Sequence, residues 1–409
     1  LHRVDRRQRQ MCIRDRDHAT SERHLLSIRT EQGIRQIGLS PQGNVAIALS
    51  DDNELLAWEI DAPHPEVSWR TLFGSVFYEG YDQPSYSWQT TGGDDFEPKL
   101  SLVPLIFGTL KGTAYAMLFA VPLALCSAIY TSHFTTPGLK RAIKPVVEVM
   151  ATIPSVVLGF LVALWLAPIL ERWILALLVS FATLPAALLG FLACWQMVRR
   201  CSWAKRLENG YEFLVLVPVL LLGVASAALL APWIEGVFFG GDFRGWLYEA
   251  LALRYDQRNC VIIAFGLGFA IIPIIFSIAE DALSAVPYSL TAASVALGAS
   301  RWQTLWRVVL PSASPGIFAA IMIGFGRAVG ETMIVLMATG NTPILDWGPF
   351  NGMRTLSANI AVEIPEAPVG GTLYRVLFLC AVLLFVLTFI LNTTAELVRQ
   401  RLRRRFGRL

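Results

Sequence analysis

Charge is scarce in this sequence. Only 16% of its 409 residues are Asp, Glu, Lys or Arg, against about 25% in an ordinary soluble domain. The shortage is local. Residues 1–102 are polar and mixed, and the chain beyond residue 102 is mostly long apolar runs broken by short charged loops. A run of about 20 apolar residues, rising 1.5 Å per residue, spans a bilayer core of about 30 Å. A wholly soluble chain is thereby excluded in favour of a polytopic α-helical membrane protein. Cysteine is sparse and scattered: Cys12, Cys126, Cys194, Cys201, Cys260 and Cys380 form no CxxC pair. They read as small apolar packing residues, not as a zinc site. No GxxxxGK[ST] loop occurs, so any ATP that drives this chain must be bound by another polypeptide. No catalytic residue, metal or cofactor is expected.

Also missing is any apolar segment ahead of residue 103 that could carry the polar region across a membrane. The chain opens on Leu1, and an upstream membrane helix is expected to be absent from it. Residues 1–19 are Arg-rich and include Met11-Cys-Ile-Arg-Asp-Arg16. They resemble translated adapter sequence and are expected to be a non-native or disordered end.

The apolar runs place seven spans near 103–130, 146–170, 173–198, 212–232, 260–279, 315–338 and 373–393. Only Glu171-Arg172 separates the second from the third. Lys140, Arg141 and Lys144, then Arg199, Arg200, Lys205 and Arg206, then Arg301 and Arg307, and finally the basic tail 396–409 fall in alternate loops. The positive-inside rule puts these loops and the C-terminus in the cytoplasm and residues 1–102 outside, in a multi-pass protein of a bacterial inner membrane. Loops 233–259 and 341–372 then lie outside. They carry Trp233, Trp246, Trp347, Asp346, Glu363 and Glu366.

Within the polar region, Ile34, Ile37 and Leu39 alternate up to a Ser40–Gly43 turn. Val45, Ile47 and Leu49 come next, then an Asp51–Asn53 turn and Leu55–Trp58. Period-two runs bounded by turn residues indicate β-hairpins. Residues 20–70 read as a partial β-propeller-like segment and 71–102, with Pro84, Gly92-Gly93 and Pro98, as a linker.

The most specific pattern lies between the fifth and sixth spans, at 280–311. Pro287 stops one helix, 288–297 can form a short one, and Gly298 suits its C-terminal cap. Ala292, Ala293 and Ala296 leave a surface that a partner can approach closely. A second amphipathic stretch, 301–309, ends at Pro311, where the next span begins. The result is a helix–turn–helix elbow shaped for a groove in another protein. Thr291-Ala-Ala, Gly298 seven residues on, and Leu310-Pro311 beyond resemble the EAA loop of ABC importer permeases. The resemblance implies that Glu280, Asp281, Pro287, Thr291, Ala292, Ala293, Gly298, Ala299 and Pro311 couple the chain to a cytoplasmic ABC ATPase dimer. Thr291 stands where that family has its leading Glu, so a salt contact made there would be missing.

The sixth span contains Gly324-Phe-Gly-Arg327-Ala-Val-Gly-Glu331-Thr-Met. A charge inside an apolar helix is costly and usually faces an interior or a water-filled path. A spacing of four puts Arg327 and Glu331 on one helix face, with Gly326 and Gly330 beside them. The residues alone leave two readings open: a guanidinium offered to an oxyanion, or a buried structural pair. The segment Gly326–Met333, with Ala151–Pro154, Val156–Phe160 and Thr355–Ile360, resembles phosphate ABC transporter permeases of the PstC type. Residues 73–109 resemble long variants of that family with a large periplasmic insertion. The match covers most of 70–395 and departs at about 171–260, where an extra pair of spans (about 171–232) is inserted.

The resemblance implies an all-α, MetI-like permease bundle at 103–395 with a small β-rich extracytoplasmic piece. Its partners would be the ATPase dimer, a second permease of the PstA type, a periplasmic phosphate-binding protein and membrane lipid. Arg327 and Glu331 would line phosphate passage. A permease for molybdate, sulfate or an organic solute is the alternative within the class. An ATP-independent secondary transporter would instead show repeats of broken helices around a midplane site, and no clear repeat is found. Glu148 and Pro154 read as a gate or, more simply, a kinked helix end.

Overall fold

The structure is a computed structural model and describes residues 33–40, 45–60, 64, 66–78, 81–90, 98–198 and 212–406. The opening 1–19 and the charged loop around Lys205 lie outside the described residues. The chain divides into two compact units, Leu1–Ile106 with Glu363–Cys380, and Phe107–Val362 with Ala381–Leu409.

In the first unit, β1 (Ile34–Leu39), β2 (Val45–Ser50) and β3 (Leu55–Glu59) form an antiparallel sheet in that order. Its register sets Val45 opposite Glu59 and Leu49 opposite Leu55. Asn53 closes the second turn at φ 65°, its N–H donating to the Ser50 carbonyl. Asn tolerates this left-handed conformation better than most residues. The stretch 71–102 is more than the linker its Pro and Gly suggested. Helix α1 (Trp69–Phe73) is capped by Ser68, and β4 (Trp88–Gln89) pairs with β5 (Lys99–Leu100). Tyr78, Trp88 and Leu100 are buried. The Trp88 indole donates to Glu363 Oε1 at 2.9 Å, and Thr90 donates to the same oxygen at 2.8 Å. Strands of two residues carry no readable period, which is why the sequence hid them.

Among the described residues, seven helices are long and apolar enough to cross a membrane. They are α2 (Val103–His133), α4 (Ser155–Arg172), α5 (Ile174–Val198), α6 (Glu212–Phe238), α8 (Cys260–Ser284), α10 (Arg301–Gly330) and α13 (Thr372–Phe406). Shorter helices stand between them: α3 (Pro137–Ala151), α7 (Phe243–Leu251), α9 (Tyr288–Ala296), α11 (Met333–Ala338) and α12 (Leu356–Glu363).

The second unit is built on α8. Its Ile262, Ile263, Leu267, Ile271, Ile275 and Leu283 are all shut off from solvent, as expected of a helix apolar all round. Helix α10 runs antiparallel to it. Gly316 meets Ala282, and Gly324 meets Ile271 and Ile275, near the middle of α8. Helix α2 touches α8 where Phe119 and Ala116 meet Gly268. Helices α5 and α6 pack on each other, with Thr183 Oγ1 donating to the Gly223 carbonyl at 2.9 Å. Phe181, Leu189, Leu222 and Leu229 point outward and exposed, which suits lipid contact.

Two span boundaries differ from the sequence reading. The second span does not begin at 146. Residues 137–151 form the separate amphipathic helix α3, in which nothing is buried, and Pro154 precedes α4 in extended conformation. A proline disfavours helix at the residue before it, so the chain breaks there. The sixth span starts at Arg301 and ends at Gly330, instead of running from 315 to 338.

A close approach at α2 yields a stability test. A Cβ at Gly108 would lie 2.2 Å from the Arg354 carbonyl oxygen, whereas one at Gly138 would meet nothing. Gly108→Ala should therefore cost about 1–3 kcal/mol through overpacking. Gly138→Ala should be neutral or stabilising. Thermal unfolding in detergent measures both.

Candidate functional site: an exposed elbow and a broken helix

The elbow forms as a consequence of local caps. Pro287 precedes α9 in extended conformation. At the far end Gly298 takes φ +88°, and its N–H and that of Ala299 donate to the Val295 and Ser294 carbonyls. That left-handed turn is strained for any residue with a Cβ. Ser300 then caps α10 reciprocally with Gln303. The Ser294 and Thr304 hydroxyls, 3.0 Å apart, pin the two legs together. The Thr291 hydroxyl donates to the Tyr288 carbonyl in its own turn. Pro311 does not end the second leg, as its position suggested. A π-type turn at Leu305–Val309, in which Leu310 donates to the Leu305 carbonyl, takes up the proline, and α10 continues unbroken.

No residue of α9 is buried. Tyr288 is 84% and Leu297 90% exposed, and Ala293 and Ala296 are exposed between them. Thr291, Ala292 and Ala299 are half-buried. Beside the elbow lies a cleft of about 420 Å³, lined in part by His133, Lys140, Tyr288, Val295 and Arg301.

The helix that leads into the elbow is held by a carboxylate that the sequence showed only as part of a motif. Glu280, one turn before the end of α8, is 2% exposed. It takes the Lys140 ammonium at 2.6 Å and the Ser284 hydroxyl at 2.6 Å, with Lys144 at 3.6 Å. Lys144 also holds Asp281 at 2.7 Å. That hydrogen bond, aided by the charges of Asp281 and Glu280, raises the Lys144 pKa above its ordinary value. In the sequence Lys140 and Lys144 are only markers of orientation. In the structure they clip α3 to α8 at the base of the elbow.

Arg327 and Glu331 do not share a helix face. Helix α10 stops at Gly330, and Glu331 is extended at φ −70°, ψ 124°. Arg327 is exposed in line with Ile323 and Gly330, while Glu331 is buried. Among the described residues no ion pair joins them. Gly330 meets no neighbour; the glycine that lets α8 come close is Gly324. Two other sequence motifs brace the break. Ser357, at the start of α12, donates to the Glu331 carbonyl at 3.1 Å. Gly159 of α4 lies against the Met333 carbonyl and Ile334. The three stretches set apart in the sequence thus meet where α10 gives way to α11.

Seven membrane-length helices, an uncovered helix–turn–helix and an arginine on the open face of an apolar helix stand together in one polytopic chain. Residues 120–404 match the family described as "Binding-protein-dependent transport system inner membrane component", and the chain belongs to that family. It is therefore the membrane subunit of a type I ABC importer, not an enzyme; ATP hydrolysis is carried by a separate ATPase partner, and a substrate-binding protein belongs to such systems. The chain is similar to the "Probable ABC transporter permease protein YqgH" of Bacillus subtilis, at 26% identity over 75% of this chain and 73% of that one. It is similar to the "Phosphate transport system permease protein PstC" of Mesorhizobium japonicum, at 28% identity over 83% of each chain. It is also similar to "PstC 1" of Mycobacterium tuberculosis, at 28% over 72% and 70%. Among solved structures, the MetNI methionine ABC transporter aligns with a TM-score of 0.42 and 16% identity, over 74% of this chain and 95% of that one.

Glu280→Ala removes the acceptor of two ammonium groups and a hydroxyl. It should lower stability by about 1.5–3 kcal/mol, the range for hydrogen bonds to charged groups. Lys140→Ala, which leaves Lys144 in place, should cost less. Thermal unfolding in detergent checks the order.

Proposed function

We propose that this chain is the PstC-type permease subunit of an ATP-driven importer of inorganic phosphate. The observation that carries the reading is Arg327. Gly324 is level with the middle of α8, so the guanidinium stands about one turn beyond mid-helix, on an exposed face. A charge at that depth is tolerated when it faces a polar path or a partner subunit. Its planar donor array matches a phosphate bidentately. The resemblance of 326–333 to phosphate permeases and the names of the PstC relatives support phosphate as the solute.

The proposed assembly pairs this chain with a second permease of the PstA type on an ATPase dimer, fed by a periplasmic phosphate-binding protein. The elbow and the C-terminus face the cytoplasm and the N-terminal region the periplasm. Closure of the ATPases pulls on α9. Because α9 follows α8 directly across Pro287 and runs through Gly298 into α10, the pull reaches Arg327 along one helix. No bond is made or broken in this chain: Arg327 holds an anion and lets it go. Transport of another oxyanion is the second reading; the name of the YqgH relative gives no solute.

Both roles are testable in proteoliposomes holding the full complex. Arg327→Ala should reduce phosphate uptake at least tenfold with ATPase assembly intact, and Arg327→Lys should restore part of it. Uptake competed by molybdate or sulfate but not by arsenate would overturn phosphate as the solute. Gly298→Val should weaken ATPase co-purification and uncouple hydrolysis from uptake, while the detergent-solubilised permease stays folded.

A further inference from the structure

The largest side chain sealed from solvent among the described residues is a lysine. Lys111, on α2, is 0% exposed, and its ammonium has no hydrogen-bond acceptor among those residues. A polar neighbour is the thiol of Cys260. That thiol belongs to the first residue of α8 and donates to the Asn351 carbonyl at 3.2 Å. The segment 346–356 closes the site from one side. The Arg354 backbone reaches α2 at Gly108, and the Met353 side chain lies over Gly112.

The Lys111 ammonium lies near the positive end of a helix. The N-terminus of α8 already has its cap, with Asn259 Oδ1 accepting from the Val261 and Ile262 N–H groups. A helix N-terminus carries roughly half a positive charge and favours anions. An ammonium there is the reverse of the usual pairing, and a buried charge without a partner is strongly unfavourable. Asp346 is near enough to act on Cys260. Its two oxygens, however, accept from the Gly348 N–H and the Asn351 amide. Two positive features thus converge in a closed site whose nearby carboxylate is otherwise engaged.

Counted along α8, Cys260 lies some ten residues beyond the level of Arg327, or roughly 15 Å at 1.5 Å per residue, toward the end opposite the elbow. We propose that Lys111 and the N-terminus of α8 form a second oxyanion station, closed in this conformation by segment 346–356 and opened when that segment leaves α2. The anion then waits at Lys111 before passing to Arg327. This rests on the reading of the chain as an oxyanion permease, not on phosphate being the anion.

Cys260 is a built-in reporter. In the full complex, with the other five cysteines replaced by alanine, a charged methanethiosulfonate should label Cys260 slowly at rest and at least fivefold faster after trapping with ATP and vanadate. Inorganic phosphate should protect it in the trapped state. Lys111→Met keeps the volume and removes the charge. It should unfold no earlier than the parent, lose phosphate protection, and raise the half-saturating phosphate concentration about tenfold or more; Lys111→Arg should restore protection. Labelling that no oxyanion carried by the complex ever slows, or Lys111→Met uptake and protection equal to the parent's, would overturn the station. If the parent carries molybdate or sulfate in place of phosphate, and that anion protects Cys260 only when Lys111 is present, the station stands and the phosphate reading alone fails.

Discussion

The buried carboxylate of Glu280 is the point on which the rest of the working machinery leans. Helix α9 buries nothing of its own, so packing cannot fix its direction. The Gly298 turn and the Ser294–Thr304 contact hold its far end at the head of α10, and the Lys140–Glu280–Ser284 cluster holds the foot of α8, from which it springs. A buried charge is stabilising only when its partners meet it with good geometry. Here two lysines and a hydroxyl converge on one group. The lysines come from α3, an amphipathic helix in which no residue is buried. The same carboxylate therefore ties α3 to the foot of α8, just ahead of the elbow.

At its other end, α10 stops in a break. The discontinuity at Glu331 separates two roles that an unbroken helix would have merged. Arg327 stays on the exposed face, in the last turn of α10, where a cation is favoured by the helix dipole. Glu331 turns inward, and its backbone carbonyl is held by Ser357. A rigid rod from Arg301 to Gly330 thus joins an uncovered surface at one end to a fixed cation near the other. In the proposed function, such a rod would carry motion from one end to the other.

Much of this was legible in the residues. Long apolar runs can only be buried or meet lipid, so the membrane helices announce themselves by length. The strands around Val45 and Leu55 arise from period two between turn residues. The elbow arises from Pro287, the alanines and Gly298. Failures came where local signals compete. Pro311 read as a stop because a proline usually is one, but a wide turn ahead of it absorbs the missing N–H. Glu331 read as helical because its spacing from Arg327 was four, while Gly330 and the contacts of Ser357 decided otherwise. The elements of 71–102 were too short to show a period.

The sequence by itself determined the solvent of this protein, the place and form of the elbow and the family to which it belongs. These rest on hydrophobicity and on backbone preferences, which act within a few residues. Tertiary structure alone decided which charges are buried and which are free. Lys111, Lys140 and Lys144 are equally lysine in the chain. One is sealed beside Cys260, and two are spent on Glu280, because desolvation and pairing depend on neighbours more than a hundred residues away.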